Sequence, residues 1–206
     1  DGNLDFYLGT GAPDYRTIVP NRLFINQDGR SFADVTTSAN VGNIQKGHGI
    51  SIADIDNDGD QDIYAVMGGA FSGDFFQNSL FLNPGNDNNW LHIKLIGTQT
   101  NKAAIGSKIR LTITENSNKK YLYRTVSSGA SFGANSLIQE IGIGNTLSID
   151  KLEVQWANGS TEYVDYGSHS IKKRIVITEG KKEVQIEELR TLKLTGEAKH
   201  DHHKHH

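Results

Sequence analysis

The sequence repeats itself. Asp1-Gly2-Asn3-Leu4-Asp5-Phe6-Tyr7 realigns with Asp58-Gly59-Asp60-Gln61-Asp62-Ile63-Tyr64, and Asn21-Arg22-Leu23-Phe24-Ile25-Asn26 with Asn78-Ser79-Leu80-Phe81-Leu82-Asn83, both at an offset of 57 residues. Two separate segments that share one offset mark a structural unit copied along the chain. A unit of roughly 40 to 60 residues built from a few short strands hides its faces only by stacking on its neighbours. Residues 1–89 therefore read as about one and a half copies, the first opening in mid-motif as in a chain cut from a longer protein.

Each copy has the same grammar: an Asp-rich turn, an apolar strand (Leu4 to Leu8; Asp62 to Val66), a Gly-containing loop, then Asn-x-Leu-Phe-x-Asn. Asn26-Gln27-Asp28-Gly29 is a hairpin turn signal, and Ser31-Phe32-Ala33-Asp34-Val35 alternates as a half-buried return strand does. With 22 Gly and only 3 Pro among 206 residues, turn dipeptides separate short apolar segments throughout, which predicts an all-β fold. The repeats predict partial β-propeller blades, too few to close a ring.

A second module, residues 90–180, follows the repeats. Strands are predicted at Trp90 to Ile96, Ser107 to Thr114, Lys120 to Val126, Leu137 to Ile143, Lys151 to Trp156, Thr161 to Val164 and Arg174 to Thr178, with turns such as Asn158-Gly159-Ser160 between them. None repeats at 57 residues, and the pattern predicts a β-sandwich or small barrel. Residues 181–206 form a C-terminal segment. Lys181 to Leu194 is amphipathic in either period, a terminal strand or a short helix, and the last seven residues hold five of the eight His.

The chemistry concentrates in Asp54-Ile55-Asp56-Asn57-Asp58-Gly59-Asp60-Gln61-Asp62, five carboxylates in nine residues. Such a density of negative charge repels itself, and a hard dication that takes six to eight oxygen ligands relieves it, which points to Ca²⁺. Asp54, Asp56 and Asp58 fold around one centre, Gly59 permits the sharp turn, Asp60 offers its backbone carbonyl and Asp62 closes the shell. An EF-hand would place a carboxylate where Ala65 stands and helices on both flanks; the strand character of Ile50-Ser51-Ile52 and Ile63-Tyr64-Ala65-Val66 predicts a hairpin loop instead. Asp1, Asn3 and Asp5 repeat the second half of this loop as a truncated half-site.

This acidic loop, the Asn-x-Leu-Phe-x-Asn repeat and Gly47-His48-Gly49 together resemble the FG-GAP/VCBS repeats of integrin-like β-propellers. Trp90-Leu91, Ala104-Ile105-Gly106-Ser107-Lys108-Ile109, Val126-Ser127-Ser128-Gly129, Ile141-Gly142-Ile143-Gly144 and Val154-Gln155-Trp156-Ala157-Asn158-Gly159 resemble the ASPIC/UnbV domain that follows such repeats in the cartilage acidic protein family. Where that family carries Pro after the Trp of its late strand, this chain has Ala157. The resemblance implies a calcium-stabilised, secreted or cell-surface protein with no catalytic residues, active in adhesion through a protein or glycan ligand or through self-association. An accessory module of an extracellular hydrolase, or a subunit completed by inter-chain β pairing, are the alternatives.

Other features narrow the field. A formal charge of −3 gives no basic field for nucleic acid, no apolar run reaches the roughly 20 residues of a membrane span, and the absence of Cys excludes thiol catalysis and Cys-ligated zinc. Gly129-Ala130-Ser131-Phe132-Gly133 matches a nucleophile elbow without the helix that motif needs, and reads as a turn. His48 is a donor to a ligating Asp or a packing residue between blades; His92 alternates with Lys94 toward solvent; His169 is a loop residue. The His-rich tail has the composition of a transition-metal tract and equally of an appended tag. Trp90, Phe24, Phe32, Phe81 and Trp156 are predicted core, while Phe71, Phe75 and Phe76 are predicted exposed at a blade contact or binding surface. Asn158-Gly159-Ser160 is also a glycosylation sequon.

Overall fold

A computed structural model describes residues 1–11, 14, 16–69, 72–129, 132–167 and 171–194. Phe71, Ser131, His169 and the His-rich tail lie outside the described residues. Those described form fourteen strands in four sheets, with no helix among them.

The repeat holds in three dimensions. β1 (Phe6–Leu8), β2 (Arg22–Gln27) and β3 (Ser31–Asp34) form one antiparallel sheet; β4 (Gly47–Ala53), β5 (Asp62–Met67) and β6 (Ser79–Phe81) form another. Phe6 pairs with Phe24 and Tyr7 with Leu23; 57 residues on, Ile63 pairs with Phe81 and Tyr64 with Leu80. The same side-chain strut recurs: Asn26 N donates to Asp5 Oδ1 at 2.7 Å and Asn83 N donates to Asp62 Oδ1 at 2.9 Å. The sheets meet through Tyr7, whose ring lies 6.5 Å from that of Phe81, and through buried Asn21, whose Nδ2 donates to Met67 Sδ at 3.7 Å.

The copies part at their last strand. After β2 the chain turns at Asn26-Gln27-Asp28-Gly29 and returns as β3 against β2. After β6 the corresponding stretch becomes β7 (Asn89–Ile96), which leaves the blade and enters the second module.

There β7 is flanked by β10 (Gln139–Gly144) and β13 (Lys173–Thr178), with β14 (Gln185–Glu187) outside β13. A second sheet runs β12 (Thr161–Val164), β11 (Lys151–Gln155), β8 (Lys108–Glu115), β9 (Asn118–Thr125). Leu91, Ile93, Ile141 and Ile175 from one sheet meet Ile109, Leu111, Leu152 and Val154 from the other in one buried apolar core. Two four-stranded sheets around a shared core make a sandwich, not a barrel. β14 resolves the ambiguity after Lys181 in favour of a strand, which lengthens the sandwich sheet.

Two residues depart from the predicted faces. Phe32 is 49% exposed, edge-on to Phe6, which stacks on Phe24 at 4.8 Å, so this face of the first sheet is an aromatic surface cluster. His92 shares a face with Lys94, as alternation requires, yet is 1% exposed, because that end of β7 is roofed by the Asp-rich loop. Trp156 is buried as predicted, and Phe75 and Phe76 are exposed.

One polar contact closes the sandwich. Glu179 Oε2 accepts the backbone N–H groups of Thr98, Gln99 and Thr100 at 2.8, 2.8 and 2.9 Å, and Thr100 Oγ1. Burial alone would raise the Glu179 carboxyl, but these donors hold it down at about 2. Its stabilisation is therefore complete above the ordinary value of 4.5 and lost as pH falls toward 2. Glu179→Gln is expected to lower the urea midpoint at pH 7, with the difference from the parent chain shrinking below pH 4; equal midpoints at pH 7 would deny the contact its role.

Candidate metal centre

The nine-residue loop joins β4 to β5 and is folded by its own carboxylates. Asp54 Oδ1 accepts Asp58 N at 3.0 Å and Oδ2 accepts Gly59 N at 3.1 Å, while Asp58 Oδ1 accepts Asp60 N at 3.1 Å. Asn57 (φ 59°) and Gly59 (φ 103°) take the left-handed conformations that so tight a path demands. Ligand oxygens of Asp54, Asp56 and Asp58 lie within 4.8 Å of one another, and among the described residues this is the one group of three metal-ligating side chains so gathered.

Two oxygens are left over. Asp56 Oδ1 and Asp60 Oδ1 are buried and accept no hydrogen bond. Burial, reinforced by Asp58 and its neighbours, pushes Asp60 up to about 7; burial likewise takes Asp54 to about 6, against the two N–H groups that favour its charge, and raises Asp56. A cage of hard oxygens whose members resist sharing their negative charge has the donor chemistry of a calcium site. Asp60 lies outside the gathered group of Asp54, Asp56 and Asp58, with its Oδ1 buried and unpartnered. Asp62 stands as a strut: its Oδ2 accepts Ile55 N at 3.0 Å while Oδ1 holds Asn83.

The half-site is arranged differently. Asp1 Oδ1 and Oδ2 accept Asn3 N and Asn3 Nδ2 at 2.9 and 3.1 Å, and Asp5 Oδ1 accepts Asn26 N, so these side chains serve the turn and the hairpin.

A family model for the FG-GAP-like repeat matches residues 1–65, and one for ASPIC and UnbV matches residues 97–184. The two matches follow one another along the chain in the order that the resemblance implied, repeat first. The comparison with curated proteins finds no match.

The FG-GAP-like loop is docked onto the ASPIC/UnbV sandwich and the strand leading into it. A Cβ on Gly59 would lie 1.8 Å from Trp90 Nε1, so only glycine lets the loop sit against that indole. Trp90 in turn packs on His92, centroids 4.3 Å apart. His92 Nδ1 comes within 3.8 Å of Asp54 Oδ2, but burial, with Arg174 adding to it, lowers the imidazole to about 3, so the contact is not an ion pair near neutrality. From β10, Glu140 Oε2 accepts Asp54 N at 3.2 Å and Gln61 Nε2 at 2.9 Å. From β13, Arg174 Nη2 donates to Asn57 Oδ1 at 3.3 Å. The segment after β14 clasps the far side: Leu192 N donates to Asp56 O at 2.7 Å, Thr191 Oγ1 to Asn57 O at 3.2 Å, and Asn57 Nδ2 to Arg190 O at 3.3 Å.

His92, Glu140, Arg174 and residues 190–192 escaped sequence reasoning, since none carries a motif. Among the described residues no hydrogen bond joins His48 to the loop; its ring packs on Gly11, between the blades. The segment after the elbow-like pentapeptide braces β4, with Ser51 Oγ donating to Ala134 O and Ile52 N to Asn135 Oδ1, both at 3.0 Å. Asn158 Oδ1 accepts Ser160 N at 2.9 Å, so the sequon is folded as a turn.

Gly59→Ala combines a left-handed backbone with a clash against Trp90, and is expected to destabilise the chain by roughly 2 kcal/mol or more. Urea unfolding followed by tryptophan fluorescence checks it; a midpoint equal to the parent's would mean that the loop is not seated on the indole.

Proposed function

We propose that this chain is a non-catalytic calcium-binding module of an extracellular adhesion-type protein, presenting surfaces to protein or glycan ligands. The observation that carries the reading is the pair of buried, unpartnered oxygens, Asp56 Oδ1 and Asp60 Oδ1, inside a loop that Asp54 and Asp58 close by accepting its backbone N–H groups. Asp54, Asp56, Asp58 and Asp60 hold the ion, and Asp62 braces the loop against Asn83. Bound Ca²⁺ supplies charge neutralisation. The consequence in this chain is mechanical: a loop able to keep its carboxylates ionised and buried keeps its contacts with Trp90, Glu140, Arg174 and Leu192, so the repeats stay seated on the sandwich. FG-GAP repeats are typical of extracellular proteins, and no described helix is long and apolar enough to cross a membrane.

Calcium at about 100 times its Kd stabilises a folded site by about 2.7 kcal/mol, or about 5–10 °C for a chain of this size. Scanning calorimetry of the whole chain is expected to show that rise with CaCl₂, its reversal with EGTA, and its loss in Asp56→Asn. An unchanged melting temperature in the parent chain would defeat the reading.

Self-association is favoured by a separate observation. β6 is an edge strand, and beside it Phe75 and Phe76 are 86% and 50% exposed. On this second reading sedimentation velocity shows a concentration-dependent species that Phe75→Ser removes; a monomer at all concentrations rejects it.

A further inference from the structure

The outward face of the sheet β12-β11-β8-β9 lies away from the metal loop and has the makings of a binding platform. One side of these strands fills the sandwich core through Ile109, Leu111, Leu122 and Leu152. On the other side Tyr121, Tyr123 and Tyr163 stand 50%, 59% and 64% exposed. A large aromatic ring on a solvated sheet face loses little on its own, but three on one face are a concentration of apolar, flat surface.

Their placement is ordered by the registers. Tyr123 lies opposite Arg110, Arg110 opposite Glu153, and Glu153 opposite Tyr163, so one row crosses all four strands with a tyrosine at each end. Three strand spacings put the end positions about 14 Å apart. Between them Glu153 is buried and pairs with both Arg110 and Lys151, whose Nζ also sits 4.2 Å above the Tyr163 ring. The floor between the rings is thus a fixed polar strip, with guanidinium and ammonium donors held upright by one carboxylate.

The face carries an excess of positive charge. On this face β8, β9 and β11 contribute Lys108, Arg110, Lys119 and Lys151 against Glu153, in a chain whose formal charge is −3. The acids at the rim are hydrogen-bonded locally: Asp150 Oδ2 accepts Thr114 Oγ1 from β8 at 2.6 Å and Asp165 Oδ1 accepts Gly167 N at 2.9 Å. Lys108 and Lys119 have no ion-pair partner among the described residues, and about six residues of strand, roughly 20 Å, separate their rows. Nucleic acid, with one charge per about 1.7 Å of duplex, calls for a denser cation array. Two widely spaced free cations and flat rings suit a polymer with sparse carboxylates and apolar sugar faces.

We propose that this sheet face binds an acidic, uronate-bearing polysaccharide, with Tyr123 and Tyr163 stacking on sugar rings and Lys108 and Lys119 meeting carboxylates. The assignment rests on the reading of the chain as an adhesion-type module and names its ligand class, but it uses no residue of the metal loop.

Calorimetric titration of the whole chain in calcium, with a hyaluronan octasaccharide, a neutral dextran of equal length and a single-stranded oligothymidine, tests it. The expected result is binding of hyaluronan alone, weakened at least tenfold in Tyr123→Ala/Tyr163→Ala and by added salt or in Lys108→Ala/Lys119→Ala, with the calcium-induced rise in melting temperature intact in all variants. Hyaluronan ignored by a chain that still responds to calcium overturns this assignment alone. Dextran bound equally well, oligothymidine bound more tightly, or tyrosine variants that bind as the parent does overturn it too.

Discussion

Five aspartates in nine residues must be placed where their charges do not drive them apart, and the rest of the structure follows from how that is done. The loop does not splay into water. It buries Asp54, half-buries Asp56 and Asp60, folds Asp54 and Asp58 onto its own backbone N–H groups, and presses Gly59 against Trp90. Burial first, and neighbouring like charges after it, raise the proton affinity of Asp54, Asp56 and Asp60. A divalent cation held there would resolve that conflict without opening the loop.

The cost of losing this loop differs between the two halves of the chain. The sandwich has its own apolar core, drawn from strands of both sheets. The repeats have little: among the described residues before 90 the buried apolar side chains are Tyr7, Val41, Ala65 and Met67. Two three-stranded sheets with so small a core depend on what they are packed against. Hydrogen bonds between the loop and Glu140, Arg174 and residues 190–192, and between β4 and Asn135, are that support. The loop is thus the fastening by which the weaker half borrows rigidity from the stronger.

Much of this was legible in one dimension. The 57-residue offset reappears as identical strand registers and as the twin struts Asp5–Asn26 and Asp62–Asn83, because a strand pairing and its turn are local and are copied with the residues that specify them. Asp54, Asp56 and Asp58 converge for the same local reason. His92 was misread for a non-local one: period-2 alternation states which residues share a face, as His92 and Lys94 do, but not what covers it. Phe32 failed in the converse way, on a face that nothing covers. Glu179, about eighty residues from the three N–H groups it gathers, carries no signal at all in the sequence.

The sequence by itself determined the all-β class, the repeat and the acidic loop, since periodicity, turn chemistry and charge density act over a few neighbouring residues. Tertiary structure alone decided that the second copy's last strand defects to the sandwich and that the acidic loop faces Trp90 and His92. It also decided that three tyrosines share an open face, because burial and cross-strand neighbours are set by residues far apart in the chain.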